Sequence, residues 1–379
     1  MRKLRLVSFA ALLAGLSTAA ASFASAQKTT AAPLVVAVEG PQSGDQASNG
    51  LDQLRGVRLA VAQLNGAGGL WDGRKVVVYA ADDKGDKRDA KGVAREVIAR
   101  GIGFVIGPYN SSVGLANLPP YRRSHVLPLW MTSRDETAGG GATVQPMNSQ
   151  IAPVEEHYVK SLGVKRVTML VDDSANGAFT KGVATSLRKQ LMQDGTSVGW
   201  ISLEEGASPA YYATKVEKGL ATKADLIYVS TYFPEGLKVA KALTAAGSGP
   251  RCLMGLANVD NGFLAGATTT QARRCVFSGV PAAPQMASAA GYVQRYRSAF
   301  HRAPGVWGSF TYDSARILFA AINRAKSYGF FAVERALRQT RAFRGATGTI
   351  TIDPETGYRT SVPVSILRVG AGKKFVIAR

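Results

Sequence analysis

Apolar residues recur along this chain in two alternating rhythms. Leu34 to Val38 is an unbroken, β-branched run, the pattern of a buried strand. Leu54, Val57, Val61 and Leu64 then fall on one helical face, with Gly66 placed to end that helix. Val76 to Ala80 reads as a second strand closed by Asp82 and Asp83, and Ala90, Val93, Val97 and Ile98 line a second helix that Gly101 stops. Phe104 to Ile106 and Leu127 to Met131 supply two further strands. Strands that alternate with helices in this way predict a parallel sheet with helices on both faces, and ligands of such sheets gather at the carboxyl ends of the strands.

The rhythm pauses at Gly139 to Gly141 and at Gln145-Pro146-Met147-Asn148, and then restarts. Helices are predicted over 154–162, 179–192, 212–220 and 237–246, and strands over 166–171, 198–203, 226–230 and 251–254. Two successive runs of the same alternation imply two similar α/β lobes, and the sequence by itself would divide them at Pro146. The final third adds helices over 292–301, 312–326 and 332–338. It ends in a strand pair, 348–352 and 362–369, with Asp353-Pro-Glu-Thr-Gly357 as a hairpin turn between them.

The most informative stretch for chemistry is Phe104 to Ala116. Gly107 and Pro108 break the strand, and Ser111 or Ser112 can cap the helix that follows. Backbone N–H groups and hydroxyls then converge on one spot, a site for a small anion such as a carboxylate. Plain helix capping would use the same residues.

Composition narrows the class. The chain has 379 residues, 46% hydrophobic and 8% aromatic, with a formal charge of +20. Its basic residues are scattered (Arg55, Arg58, Arg122, Arg123, Arg273, Arg274, Arg295, Arg297) and form no module interleaved with stacking aromatics. This reads as a solvated basic surface with no nucleic-acid partner. At the N-terminus, Arg2, Lys3 and Arg5 precede the apolar run Leu6 to Leu16, and Ala24-Ser25-Ala26 follows, so export with cleavage after about Ala26 is expected. No cysteine stands at that point to carry a lipid. Cys252 and Cys275 read as one disulfide, closing a loop of about two dozen residues worth roughly 3 kcal/mol, with two buried free thiols as the alternative. His125, His157 and His301 are the only histidines and none lies in a nucleophile elbow. Metal-ligand spacing, a phosphate loop and a dinucleotide fingerprint are all absent, so neither catalysis nor a cofactor nor a metal is expected.

Several features recur at matching separations in periplasmic substrate-binding proteins of the branched-chain amino acid (Leu/Ile/Val) type, which serve ABC importers. They are the exported N-terminus, Ser43-Gly44, Leu64-Asn65-Gly-Ala-Gly-Gly-Leu70, Asp82-Asp83, and Ile106-Gly107-Pro108 with its serines. Tyr232-Phe-Pro-Glu235, Ser309-Phe-Thr-Tyr-Asp313, Phe343-Arg-Gly-Ala-Thr-Gly348, Asp353 and Gly357 continue the series. The chain resembles that family from about residue 34 to its end. The resemblance implies a type I periplasmic binding protein-like fold, two doubly wound α/β lobes joined by a three-segment hinge. One lobe would hold 27–146 and 280–345, the other 147–279 and 346–379. It also implies a monomer in the periplasm, a small-molecule solute, and ABC permease and ATPase subunits as partners. A ligand sensor of the same fold is the alternative.

Carried over residue by residue, the family's site puts the carboxylate clamp at Ser111 with Ser112 beside it, further contacts at Thr132, Ser133 and Arg134, and the closing tyrosine at Tyr232. Three positions depart from the pattern. Ala257 stands where amino-acid binders carry a glutamate for the ligand ammonium, Asn176 where an aromatic is usual, and Arg134 where a hydroxyl would be expected. Asn258 or Asp260 could replace the missing acid, and Trp130 could line the cleft or belong to the core. An unpaired ammonium in a dry cleft costs several kcal/mol. A carboxylate, an amide-bearing solute or an aromatic acid therefore fits better than an α-amino acid.

Overall fold

The computed structural model describes Met1 and residues 32–378; the expected leader and its cleavage point at Ala26 lie outside the described residues. The chain begins β1 (Leu34–Gly40), α1 (Ala47–Gly66), β2 (Val76–Asp82), α2 (Lys87–Ala99), β3 (Phe104–Ile106), α3 (Ser111–Arg123), β4 (Leu127–Leu129). These strands form one parallel sheet in the order β2-β1-β3-β4. Both faces are covered, which is why β1 and β3 read as unbroken apolar runs.

The second run is α4 (Asn148–Ser161), β5 (Arg166–Asp172), α5 (Ala178–Gln193), β6 (Ser197–Leu203), α6 (Pro209–Ala221), β7 (Leu226–Ser230), α7 (Phe233–Ala245), β8 (Arg251–Met254), then the short α8 (Asn261–Gly266) and α9 (Thr269–Ala272), and β9 (Val276–Gly279). The last third holds α10 (Ala290–Phe300), α11 (Gly308–Ala325), α12 (Phe330–Arg338), β10 (Phe343–Gly345), β11 (Gly348–Ile350), β12 (Ser365–Val369) and β13 (Phe375–Ile377). A seven-stranded sheet runs β13-β12-β9-β8-β7-β5-β6. It is parallel from β9 to β6, and β12 lies antiparallel to both β9 and β13.

The alternation of strand and helix is borne out, with two separate sheets. The third segment does not stay together: α11 packs along α1, whereas β12 and β13 join the second sheet. Asp52 of α1 fixes the first of these contacts. Its buried carboxylate accepts hydrogen bonds from Tyr296 Oη (2.8 Å), Gly305 N (2.9 Å) and Gly308 N (2.6 Å). Cys252 and Cys275, on β8 and just ahead of β9, are joined at an S–S distance of 2.00 Å.

Two local expectations are corrected. The hairpin between 348–352 and 362–369 does not form. β11 pairs with β10 and β12 pairs with β9, leaving only the isolated bridge Ile352↔Arg359 around the Asp353 turn. The reason is that Asp313 fixes the Ala346-Thr347 turn of the β10–β11 ribbon, while Leu367 of β12 is buried against the second sheet. Nor does either serine cap α3. Asn110 is the N-cap, without a side-chain cap bond, and Ser111 and Ser112 are the first two helical residues.

Candidate functional site

The two sheets present the carboxyl ends of their strands to a common cavity of about 10 Å³, room for about one water in this conformation. From the first sheet come Tyr109 and Ser111, after β3, and Ser133 and Gln145, after β4. From the second come Phe179 on the first turn of α5, Tyr232 as the N-cap of α7, and Leu256 and Ala257 after β8. All eight are buried.

The polar groups are ordered. Ser111 Oγ accepts from the backbone N–H of Ser133 (3.4 Å) and of Arg134 (3.3 Å), which ties the start of α3 to the segment after β4. Ser133 Oγ accepts from Gln145 Nε2 (3.0 Å), and Ser133 O from Asn148 N (2.6 Å). Across the cavity the Phe179 and Tyr232 rings lie 6.2 Å apart, and Tyr109 packs on Trp307 at 5.9 Å. Burial pushes both tyrosine hydroxyls up, so at neutral pH each is a neutral donor and acceptor. The lining contains no charged side chain. Hydroxyls and an amide stand on one wall and rings on the other, the kinds of group that hold a small molecule by hydrogen bonds and apolar contact.

A family model described as periplasmic binding protein matches residues 33–374, nearly the whole described chain. The chain belongs to the periplasmic binding protein family. A Leu/Ile/Val-binding protein homolog of Brucella melitensis is 28% identical, the match covering 98% of each chain. Among solved structures, a leucine-binding protein of Thermotoga maritima superposes with a TM-score of 0.83 at 20% identity over 91% of this chain and 98% of that one. A solute-binding protein of an ABC transporter from Rhodopseudomonas palustris, in complex with 3,4-dihydroxybenzoic acid, superposes at 0.79 and 19% identity over 90% and 95%.

In this periplasmic binding protein, the other residues singled out from the sequence stand around the cavity rather than on its wall. Ser112 Oγ is buried without a hydrogen-bond partner, and Thr132 Oγ1 shares a hydrogen bond with Thr137 Oγ1 (2.6 Å). The Arg134 guanidinium turns to Glu136, with two contacts of 2.8 Å, and reaches Ala178 O at 3.4 Å. The Glu136 carboxylate holds it above the usual arginine range. Asn176 lines a separate cleft with Asp86 and Glu205, where its Oδ1 accepts from Lys87 N (3.1 Å) and its Nδ2 donates to Glu205 (2.7 Å). Asn258 is buried and off the cavity lining, donating to Thr231 O (3.0 Å) and Gly255 O (3.2 Å). Asp260 accepts from Ser48 Oγ (3.0 Å) and Gly262 N (2.5 Å), and burial pushes its carboxyl up to about 6. Trp130 is core, packed with Ala37 and Tyr121.

Tyr109, Gln145, Phe179 and Leu256 were not singled out from the sequence. Tyr109 stands two residues before Ser111 in the same turn, and Gln145 opens the segment at which the first run of strands ends. Those positions were the available signal. Among the described residues, no group of three or more His, Cys, Asp or Glu could hold a metal ion, and no helix is long and apolar enough to cross a membrane.

Proposed function

We propose that this periplasmic binding protein captures a small carboxylate-bearing solute between two lobes and hands it to the permease and ATPase of an ABC importer. It would act as a periplasmic monomer and carry out no chemistry. The lobes are proposed as 27–146 with 280–345 and 147–279 with 346–379. Packing of α11 on α1 and of β12 on β9 supports that interleaving. The anion is held at the start of α3 by Ser111 and the neighbouring Ser133, and the second lobe closes Tyr232 and Phe179 over it.

The observation that carries the reading is the cavity wall: two serine hydroxyls and an amide on one side, aromatic rings on the other, and Ala257 where an acidic side chain would be needed. A cavity without a carboxylate stabilises an anion's hydrogen-bonded end and leaves an ammonium unpaired. A fold neighbour that holds 3,4-dihydroxybenzoic acid is in keeping with an aromatic or other simple acid. The test is calorimetric titration of the exported protein with branched-chain amino acids and with their acid counterparts, alongside Ser111→Ala. Acids should bind and Ser111→Ala should weaken them about tenfold or more without unfolding the protein. Tight binding of leucine or valine with no response to acids would overturn it.

A further inference from the structure

We propose that Gln145 makes this site selective for carboxylates that carry an uncharged hydrogen-bond donor next to the acid group, as in a 2-hydroxy acid. The inference rests on the carboxylate reading above and adds the second polar group of the ligand. Gln145 is 3% exposed and lines the cavity. Its backbone N–H donates to Thr143 Oγ1 (3.1 Å), which fixes the chain at that point, and its side-chain Nε2 donates to Ser133 Oγ (3.0 Å). Its Oε1 has no partner in the protein. An orphaned buried acceptor lowers an equilibrium constant by roughly five- to a hundredfold, and a ligand donor that reaches it recovers that factor.

The chemistry of that donor is restricted by what surrounds it. Of the other cavity side chains, Phe179, Leu256 and Ala257 are apolar, and Tyr109, Ser111, Ser133 and Tyr232 bring only hydroxyls. Asp260, the acid nearest in sequence to Ala257, is absent from the lining and is engaged by Ser48 and Gly262. A hydroxyl satisfies Oε1 without importing a charge, whereas an ammonium would be buried without a counter-ion. Position is restricted as well. Ser133 touches Ser111 through its N–H and Gln145 through its Oγ, so one residue joins the proposed anion site to the Gln145 side chain. The donor therefore belongs on the carbon adjacent to the carboxylate, or on the neighbouring ring carbon of an aromatic acid.

The experiment uses the full exported chain and two matched ligand series. One is 4-methylpentanoate with its 2-hydroxy, 2-oxo and 2-amino forms; the other is benzoate with 2-hydroxybenzoate. Affinities are read by calorimetry in the wild type, Gln145→Leu, Gln145→Glu and Ser111→Ala. The hydroxy form should bind about tenfold or more tighter than the unsubstituted and 2-oxo forms in at least one series. Gln145→Leu should compress that ratio to less than about threefold, and Gln145→Glu, which supplies a charge, should move the preference to the amino form. Ser111→Ala should weaken every member of the series alike and leave the ratio intact. An equal or stronger response to the 2-oxo or amino form in the wild type, or a hydroxyl preference that survives Gln145→Leu, would overturn the role of Gln145. If Ser111→Ala leaves all affinities unchanged while Gln145→Leu alters the ratio, the anion clamp is what fails. Binding of no member of either series would overturn both.

Discussion

Glu155 is a carboxylic acid enclosed where helix α4 covers the second sheet, taking hydrogen bonds from Tyr228 Oη (2.9 Å) and Ser278 Oγ. Burial pushes it from 4.5 up to about 7, and the two hydroxyls only partly offset this. Its folded pKa lies above its unfolded one, so the stability tied to its protonated form is complete below about 4.5 and lost as pH rises through about 7. Glu155→Gln keeps the shape and removes the titration. It should flatten the difference in stability between pH 5 and pH 8, leaving the variant about 1–3 kcal/mol more stable than the wild type at pH 8. Urea denaturation of both at the two pH values reads this, and parallel pH slopes would refute it. Nothing in Val154-Glu155-Glu156-His157 distinguishes Glu155 from a solvated helix residue. Its burial comes from Ser278, 123 positions away. Ser111 is legible because a hydroxyl beside a strand end is readable from local order, whereas Tyr232 comes from the resemblance to the family. Gln145 acquires a role only when the fold sets it against Ser133, a contact that no local pattern encodes.

At the scale of elements, the β10–β11 ribbon is held less by its own short ladder than by Asp313 on α11. That carboxylate accepts from Ala346 N (2.8 Å), Thr347 N (2.8 Å) and Thr347 Oγ1 (2.7 Å). Arg359, buried behind the ribbon, donates to Thr347 Oγ1 (2.8 Å), Thr347 O (2.8 Å) and Thr349 O (3.0 Å). Asp313→Ala would leave two buried N–H groups without acceptors and Arg359 without its nearby anion. The expected loss is about 2–4 kcal/mol, with Asp313→Asn intermediate because it keeps one acceptor oxygen. Urea midpoints of the three proteins decide it; a loss below about 1 kcal/mol for the alanine variant would show that the ribbon holds itself. The same residues explain which elements were legible. The parallel β-α units follow from period and breakers alone, so β1 to β4 and β5 to β8 were found within a few residues of their observed ends. The terminal strands were mispaired because Asp353 to Gly357 has the residues of a hairpin turn. Yet the buried partner for Leu367 is Phe277 of β9, and turn chemistry carries no information about that choice.

For the molecule as a whole, the two proposed lobes are joined by many polar contacts near the crossovers, among them Ser149 on Asp135 and Ala346 and Thr347 on Asp313, and by others farther from them. Ser48 donates to Asp260, Lys87 N donates to Asn176, and Arg134 reaches Ala178 O. Gln145, on the cavity lining, and Ser112, next to Ser111 in the chain, each keep a buried side-chain oxygen without a partner. A closed state with orphaned groups beside its cavity gains stability when a ligand fills it, so binding should draw the lobes together. Small-angle scattering should give a radius of gyration that is larger for the free protein than for the liganded one, with the liganded curve matching the closed coordinates. Asn176→Ala removes one contact between the proposed lobes while leaving the cavity wall intact. It should weaken affinity by only about two- to fivefold, and by faster release rather than slower capture, because the contact exists in the closed state alone. Identical scattering with and without a bound acid would exclude closure as the source of affinity. A loss as large as that of Ser111→Ala would instead mean that Asn176 touches the solute, and would move the boundary of the site beyond the cavity wall.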